Sequence, residues 1–458
     1  MAPNRREWMA SIGAGVLGSF AFIPSPASAA DAAAKATGAL KITALRVTPV
    51  ALPDPPILAA SGCHGPYFLR NIVEVETDAG IAGIGETQGG ESVTRRLEEF
   101  RDIVIGESPF AYRKFAAHAA KLGRGAYAGI ELACLDAAGR ATGRRVCDLL
   151  GGPVREKVEF AAYLFFRYAA DHPRLLEDAR MKDARGRGDK ALDAWGEVRT
   201  TEAMAELAWR FHERWGFRSQ KLKAGVLAPD LELEALRAIQ ARLGAVLGPL
   251  PRLRIDPNGR WRVETALRIG EKLKSLPLEY YEDPVEGQEA MAEVRAKTGL
   301  PMSTNMCVTA FDHIAGAVKT KPIDVVLCDH HYWGGIPACQ ALGAIAEALG
   351  WGVSQHSNNH AGITMAAMVH VGAVVPQLTY ASDTHYPWLV EGADIIAGAN
   401  LRFEGGSLAV PSGPGLGVQL DRDKLARAHE VYEKCGMRRR DDAHTMRLVE
   451  PGWDRRPL

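Results

Sequence analysis

The chain has no excess charge of either sign: 55 Lys and Arg stand against 55 Asp and Glu over 458 residues. That balance argues against long-range attraction to nucleic acid or an anionic membrane, so an anionic ligand must be met locally. It also lacks a cysteine framework. Cys63, Cys134, Cys147, Cys307, Cys328, Cys339 and Cys435 are scattered, odd in number and without metal-type spacing, which suits small buried hydrophobes; in an oxidising compartment one pair could bridge. Beyond the first thirty or so residues no apolar run reaches membrane-spanning length. No internal repeat is evident apart from a strand–helix cadence. What remains is 47% hydrophobic residues and frequent glycine, ordinary for a large soluble α/β enzyme of two or three domains.

The N-terminus reads as an export signal. Arg5-Arg6 precedes a weakly apolar run from Trp8 to Ile23, and Ala27-Ser28-Ala29 forms a small-residue cleavage site. The twin arginines predict the twin-arginine route, which carries folded proteins and suits an enzyme that acquires a metal before export; a Sec-type signal or an uncleaved membrane anchor is the alternative, though the run is short and rich in Gly and Ala for a membrane span. Residues 1–29 are therefore expected as a leader, with a periplasmic location and no stable membrane anchor.

Residues 30–156 read as an α+β capping domain. Residues 41–47 and 71–77 alternate as strands, with Asp78-Ala79-Gly80 as a hairpin turn. The glycine-rich loop from Ala59 to Arg70 has the composition of a lid. Helical spacing covers 93–142, with Ile130, Leu132, Cys134 and Leu135 as its buried face. Residues 157–400 alternate strand, loop and helix, with strands expected at 158–165, 219–224, 253–256, 279–283, 301–305, 323–329, 352–356 and 378–383. Their spacing of roughly 25 residues is that of an α/β barrel of the TIM type. A doubly wound open sheet is the alternative, but the glycine-rich phosphate loop it favours is missing. The charged stretch from Tyr168 to Arg199, with Arg185-Gly186-Arg187-Gly188, is expected as a solvated excursion. Residues 401–458 form a C-terminal segment returning to the cap, with a helix over 424–434 and the cluster Arg438-Arg439-Arg440-Asp441-Asp442.

Strand after strand ends on a polar residue: Lys223, Asp256, Glu282, Asn305, Asp329, His356 and Asp383. In a barrel these ends share one face, where catalytic groups gather. Asp256, Glu282 and Asn305 come from three successive strands and offer only oxygen, which suits Mg²⁺ and not Zn²⁺. Lys223 and His356 flank them as an acid/base pair, and Asp329 is placed to orient the imidazole. Lys221 and Lys223 point to the same side of one strand. Their repulsion and partial burial are expected to lower the pKa of one of them, making it a proton acceptor near neutral pH.

These residues resemble the enolase superfamily, and within it the glucarate dehydratases. The motifs are Lys221-Leu222-Lys223, Asp256-Pro257-Asn258-Gly259, Glu282-Asp283-Pro284, Thr304-Asn305-Met306, His356-Ser357-Asn358-Asn359-His360 and Asp383-Thr384-His385, joined in the cap by Ser61-Gly62-Cys63-His64. The resemblance implies a modified TIM barrel, (β/α)7β, under the N-terminal capping domain, with Mg²⁺ as cofactor and a small-molecule acid sugar as substrate. By position it makes Asp256, Glu282 and Asn305 the metal ligands, Lys223 and His356 opposed bases, and Asp329 the partner of His356. Lys221 then stabilises the dianionic intermediate, while His64, Tyr163, Phe165, Asn258, Asn358 and Asp383 line the substrate pocket. The implied reaction removes the proton α to a carboxylate and eliminates the β-hydroxyl. An acid-sugar racemase or epimerase is the nearest alternative, and a periplasmic sugar-acid binding protein a third. No nucleic-acid partner is expected, and a homo-oligomer is open. The chain departs from the family pattern at the compact Lys121-Leu122-Gly123-Arg124-Gly125, at Ala224 in place of glycine, and at Gly334-Gly335 in place of bulkier polar residues.

Overall fold

The computed structural model describes residues 40–186, 194–247, 252–398 and 401–458. The expected leader and Arg187-Gly188 of the charged excursion lie outside them. In the cap, β1 (Ile42–Pro53) and β2 (Tyr67–Thr77) pair antiparallel, and β3 (Ala82–Gln88) pairs with β2. Helix α1 (Arg124–Thr142) packs on β3 and is buried from Ala126 to Gly139. Glycine makes this approach possible: a Cβ at Gly85 would stand 2.2 Å from the Gly129 carbonyl oxygen.

Two expectations for the cap change. The helical run over 93–142 is broken, because Pro109 opens a 3-10 stretch (Pro109–His118) and Gly123, at φ +96°, separates α1 from the short helix Ala119–Leu122. The expected lid loop is shorter than its composition suggested and is partly built into strands. Tyr67 to Arg70 belong to β2, and Leu58–Ala59 pairs with Gly62–Cys63 in a tight hairpin. Ser61 Oγ donates to Asp442 Oδ2 at 2.5 Å, and a Cβ at Gly62 would meet the Asp442 carbonyl oxygen at 2.4 Å.

The barrel strands are β4 (Lys157–Leu164), β5 (Ser219–Lys223), β6 (Arg252–Asp256), β7 (Leu278–Glu282), β8 (Met302–Thr304), β9 (Val325–Cys328), β10 (Gly352–Gln355) and β11 (Ser382–Asp383). They are parallel, in the order β10-β9-β8-β7-β6-β5-β4-β11. Helices follow β4 to β10 in turn: α2 (Thr201–Trp215), α3 (Pro229–Leu247), α4 (Val263–Leu273), α5 (Gln288–Thr298), α6 (Phe311–Thr320), α7 (Ile336–Leu349) and α8 (Gly362–Val374). β11 leads only to a 3-10 turn (Tyr386–Trp388), so the architecture is (β/α)7β. Side chains close the seam between β10 and β11: Gln355 Nε2 donates to Ser382 Oγ at 2.8 Å, and Ser354 Oγ to the Ala381 carbonyl at 2.8 Å. A short strand (Ser407–Ala409) and helix α9 (Arg422–Cys435) carry the chain back toward the cap, followed by α10 (Asp442–Val449). All seven cysteines are free, and no helix among the described residues is long and apolar enough to cross a membrane.

Candidate active site

Strand β5 reads Ser-Gln-Lys-Leu-Lys, and all five residues are buried. Such a strand is stable only if its polar inward side chains find partners. Lys221 Nζ lies 2.6 Å from Glu282 Oε1, 2.6 Å from Asp383 Oδ2, 3.3 Å from Tyr163 OH and 3.4 Å from Asp256 Oδ2. Lys223, two residues nearer the strand end, donates to Asp256 Oδ2 at 2.5 Å. Below them Arg254 binds Asp383 Oδ1 at 3.1 Å and Glu279 Oε2 at 2.7 Å. The barrel core is thus an ionic stack in which each buried charge faces its opposite.

This environment agrees with the role the resemblance implies for Lys221, a positive charge and not the proton acceptor of the pair. Burial alone would lower its pKa, but Asp383 and Glu282 raise it well above the ordinary value. Lys221 is therefore a fixed cation. Burial opposes the charge on Asp256, yet Lys223 and Lys221 hold its carboxyl below the usual range. Glu282 is pushed well above that range by burial and by Asp256.

Beyond the strand ends the backbone is re-aimed. Asn258 and Asp283 adopt φ values of 49° and 34°, left-handed conformations that non-glycine residues seldom take. Asn258 N donates to Asp256 Oδ1 at 2.9 Å, which fixes that carboxylate. The Asp283 carboxyl, pushed up to about 7 by burial and Asp256, accepts from Asn305 N at 2.8 Å. With its amide nitrogen toward the carboxylates, Asn305 donates to Glu282 Oε1 at 3.1 Å and its oxygen accepts from His356 Nε2 at 3.0 Å. His356 Nδ1 lies 2.9 Å from Asp329 Oδ2, and the Tyr332 ring stacks 5.2 Å from the imidazole.

A cavity of 230 Å³ opens over these groups. Lys223, Asn258 and Asn305 border it on one side, His356 and Asn358 on another, and His64, Tyr163 and Phe165 on a third. Lys221, Asp256, Glu282, Asp329 and Asp383 do not border it. The expected pocket role of Asp383 meets a different setting, since its carboxylate is held by Lys221 and Arg254 in the barrel core. A larger hollow of 590 Å³ lies beside Trp195, Trp388 and Phe403, away from the strand-end carboxylates. The smaller cavity is the chemical one, because both Lys223 and His356 border it.

A family model described as Enolase C-terminal domain-like matches residues 203–424, and the Mandelate racemase / muconate lactonizing enzyme, N-terminal domain matches residues 42–151. The chain belongs to the enolase superfamily. It is 42% identical over 441 residues to a probable glucarate dehydratase of Streptomyces coelicolor, covering 90% of this chain and 97% of that protein. A Thermobispora bispora enolase complexed with magnesium and formate aligns with TM-score 0.82 at 41% identity, covering 91% of this chain and 99% of that one. A Pseudomonas fluorescens enolase with bound magnesium, potassium and tartrate gives TM-score 0.83 at 40% identity, covering 91% and 98%.

In this enolase-superfamily enzyme the donor set of Asp256, Glu282 and Asn305 fits a hard divalent cation. The carboxylates crowd one region, and Glu282 Oε2, fully buried, has no hydrogen-bond partner among the described residues. A second cluster, Asp329, His330 and His331, brings ligand atoms within 4.8 Å of one another. Its Asp329 and His331 atoms already serve each other, His356 and the cap, so it is a hydrogen-bond cluster.

Among the residues that border the cavity, Arg440, His385, Tyr332 and Arg455 are assigned no role by sequence reading. Arg440 arrives from the C-terminal segment, donates to Asn359 Oδ1 at 3.0 Å and Asp442 Oδ1 at 2.5 Å, and contacts His64 Nε2. His385 packs edge-on to Tyr163, and burial, then His64 and Lys223, keep its pKa well below the ordinary value. Tyr332 OH accepts from Asn358 Nδ2 at 2.8 Å. The one available signal was position, since Arg440 and His385 sit inside motifs already singled out.

Proposed function

We propose that the protein is a Mg²⁺-dependent acid-sugar dehydratase, a hydro-lyase with glucarate or its epimers as first substrates. The observation that carries this reading is that Lys223 and His356 border one cavity from β5 and from the end of β10, with Asp256, Glu282 and Asn305 on the strands between. The 42% identity to a probable glucarate dehydratase supports it. Asp256, Glu282 and Asn305 would hold Mg²⁺, which would supply positive charge to the substrate carboxylate as its α-proton leaves. Lys223 Nζ takes the α-proton from one side and His356 Nε2 from the other. Asp329 holds His356 Nδ1, so Nε2, which rests 3.0 Å from the Asn305 amide oxygen, is the nitrogen that would turn to the substrate once that oxygen serves the metal. Protonated His356 then gives its proton to the departing β-hydroxyl, which leaves as water, and the enol tautomerises to the α-keto acid. Lys221, buried among carboxylates, contributes fixed positive charge beneath the reaction. Lys223, Arg440 and Arg455 give the cavity a cationic border suited to an anionic, polyhydroxylated ligand.

Proton acceptors on both sides also favour epimerisation on the same scaffold. A panel of sugar diacids and monoacids, assayed in D2O for α-keto product, separates the two. Keto product supports dehydration, whereas solvent deuterium in recovered substrate without keto product overturns it in favour of an epimerase. Export through Arg5-Arg6 is part of the same proposal. Cell fractionation is expected to find the enzyme in the periplasm, and recovery only from cytoplasm contradicts it.

A further inference from the structure

A chain of buried contacts runs from the cap to His356 and leaves Lys223 untouched. Asp329 uses both carboxylate oxygens. Oδ2 meets His356 Nδ1 at 2.9 Å, while Oδ1 accepts from the His331 backbone N at 2.8 Å and faces the ring Nδ1 of His331 at 3.2 Å. His331 Nε2 lies 3.1 Å from the carbonyl oxygen of Glu86 on β3. Each ring nitrogen thus faces an oxygen acceptor, and the ring is oriented from both ends. Arg70 Nη2 stands 3.5 Å from Nε2 and His330 packs beside the ring at 4.0 Å between centroids.

The anchor at the far end is itself rigid. The Glu86 carboxylate accepts from Arg70 Nε at 2.7 Å and from the backbone N of Ala361 and Thr364, both at 2.8 Å, where α8 begins. Burial opposes its charge, but Arg70 and these donors keep the carboxyl below its ordinary pKa. The hollow bordered by Arg70, Asp329, His331 and His356 measures about 10 Å³, room for about one water, so these side chains have little space to swing. Asp329 is fully buried, yet hydrogen bonds from His331 and His356 hold its carboxyl well below the usual range.

We propose that His331 is a positioning residue for the His356 half of the reaction. It fixes the Asp329 carboxylate between cap and barrel, so that His356 keeps Nε2 turned toward Asn305 and the cavity. This rests on the reading of His356 as one of two opposed bases. Lys223 is held separately, by Asp256 and over the Tyr163 ring. The two faces therefore respond differently to the loss of His331, which a residue serving stability alone would not produce.

Two variants separate the contacts. His331→Asn keeps an N–H near the place of Nδ1 and thus the bond to Asp329, whereas His331→Gln keeps one near the place of Nε2. With Mg²⁺ in D2O, glucarate and its C5 epimer are followed for deuterium at the α-carbon. The His356-dependent epimer is the one whose exchange survives in Lys223→Ala. For that epimer His331→Gln is expected to lower kcat by about 100-fold with little change in KM, while His331→Asn stays within about threefold of wild type. Exchange of the other epimer is expected to change in neither variant. Equal loss on both faces, or equal behaviour of the two variants, overturns the proposal. A second reading needs no substrate: the low-field proton of the His356–Asp329 bond in NMR is expected to persist in His331→Asn and to broaden or shift in His331→Gln, and its persistence in both overturns the proposal. Wild-type enzyme that exchanges neither acid would refute the functional reading, and the NMR comparison would then decide the positioning alone.

Discussion

Lys223 Nζ stands 2.5 Å from Asp256 Oδ2, so a proposed base is the counter-ion of a proposed metal ligand. A divalent cation held by Asp256 would compete with the lysine for that carboxylate. Magnesium is therefore expected to raise the melting temperature of the wild-type enzyme, by an amount equivalent to about 2.7 kcal/mol at 100 times its Kd. Asp256→Asn is expected to remove both the shift and turnover, and chelator to abolish turnover of wild type. Scanning calorimetry with and without Mg²⁺ checks this, and an undiminished shift in Asp256→Asn contradicts it.

The two lysines of β5 are expected to separate on mutation. Lys223→Ala should abolish α-exchange of one epimer and spare the His356 side. Lys221→Ala should slow both, and should also destabilise the fold by about 3–5 kcal/mol, because it strands the buried Glu282 and Asp383 carboxylates. Deuterium exchange beside urea denaturation measures both effects.

Gly334-Gly335, a departure from the family pattern, has a local cause. Gly335 has φ +101°, and a Cβ there would stand 2.1 Å from Glu131 Oε1, the oxygen that accepts from Ile336 N at 2.7 Å at the start of α7. Gly335→Ala is expected to cost more than about 1 kcal/mol through backbone strain and displacement of Glu131. Thermal denaturation of the variant measures it.

Burial pushes the Glu131 carboxyl up from an ordinary 4.5 to about 8. The folded group holds its proton more tightly than the unfolded one, so its contribution to stability is full below about pH 4.5 and is lost as pH rises through about 8. Each unit of that shift corresponds to about 1.4 kcal/mol. Wild-type melting temperature is expected to fall more steeply between about pH 5 and pH 8 than that of Glu131→Gln, as melts across that range will show.

The barrel and its strand-end residues were legible because strands buried on both sides leave few reasons for charge except at the ends. Depth was not. Lys221 and Lys223 share a side, but two residues of strand place Lys221 about 6.6 Å deeper, among the barrel carboxylates. That depth encloses Lys221, already read as the cation of the pair, among carboxylates and sets Asp383 beneath the cavity. Arg440 was hidden for a different reason, since its approach to His64 joins residues 376 positions apart. The break in the cap helix was visible at Pro109, but helical spacing on either side of it concealed the interruption.

The central claim is that Lys223 and His356 act on opposite faces of one α-carbon. Its most direct measurement is α-deuterium incorporation and α-keto product formation from glucarate and its C5 epimer, with wild type, Lys223→Ala and His356→Asn compared in D2O containing Mg²⁺. The expected result is keto product from wild type, with each variant losing exchange of a different epimer. Loss of the same epimer in both variants, or wild-type exchange untouched by either, would contradict it.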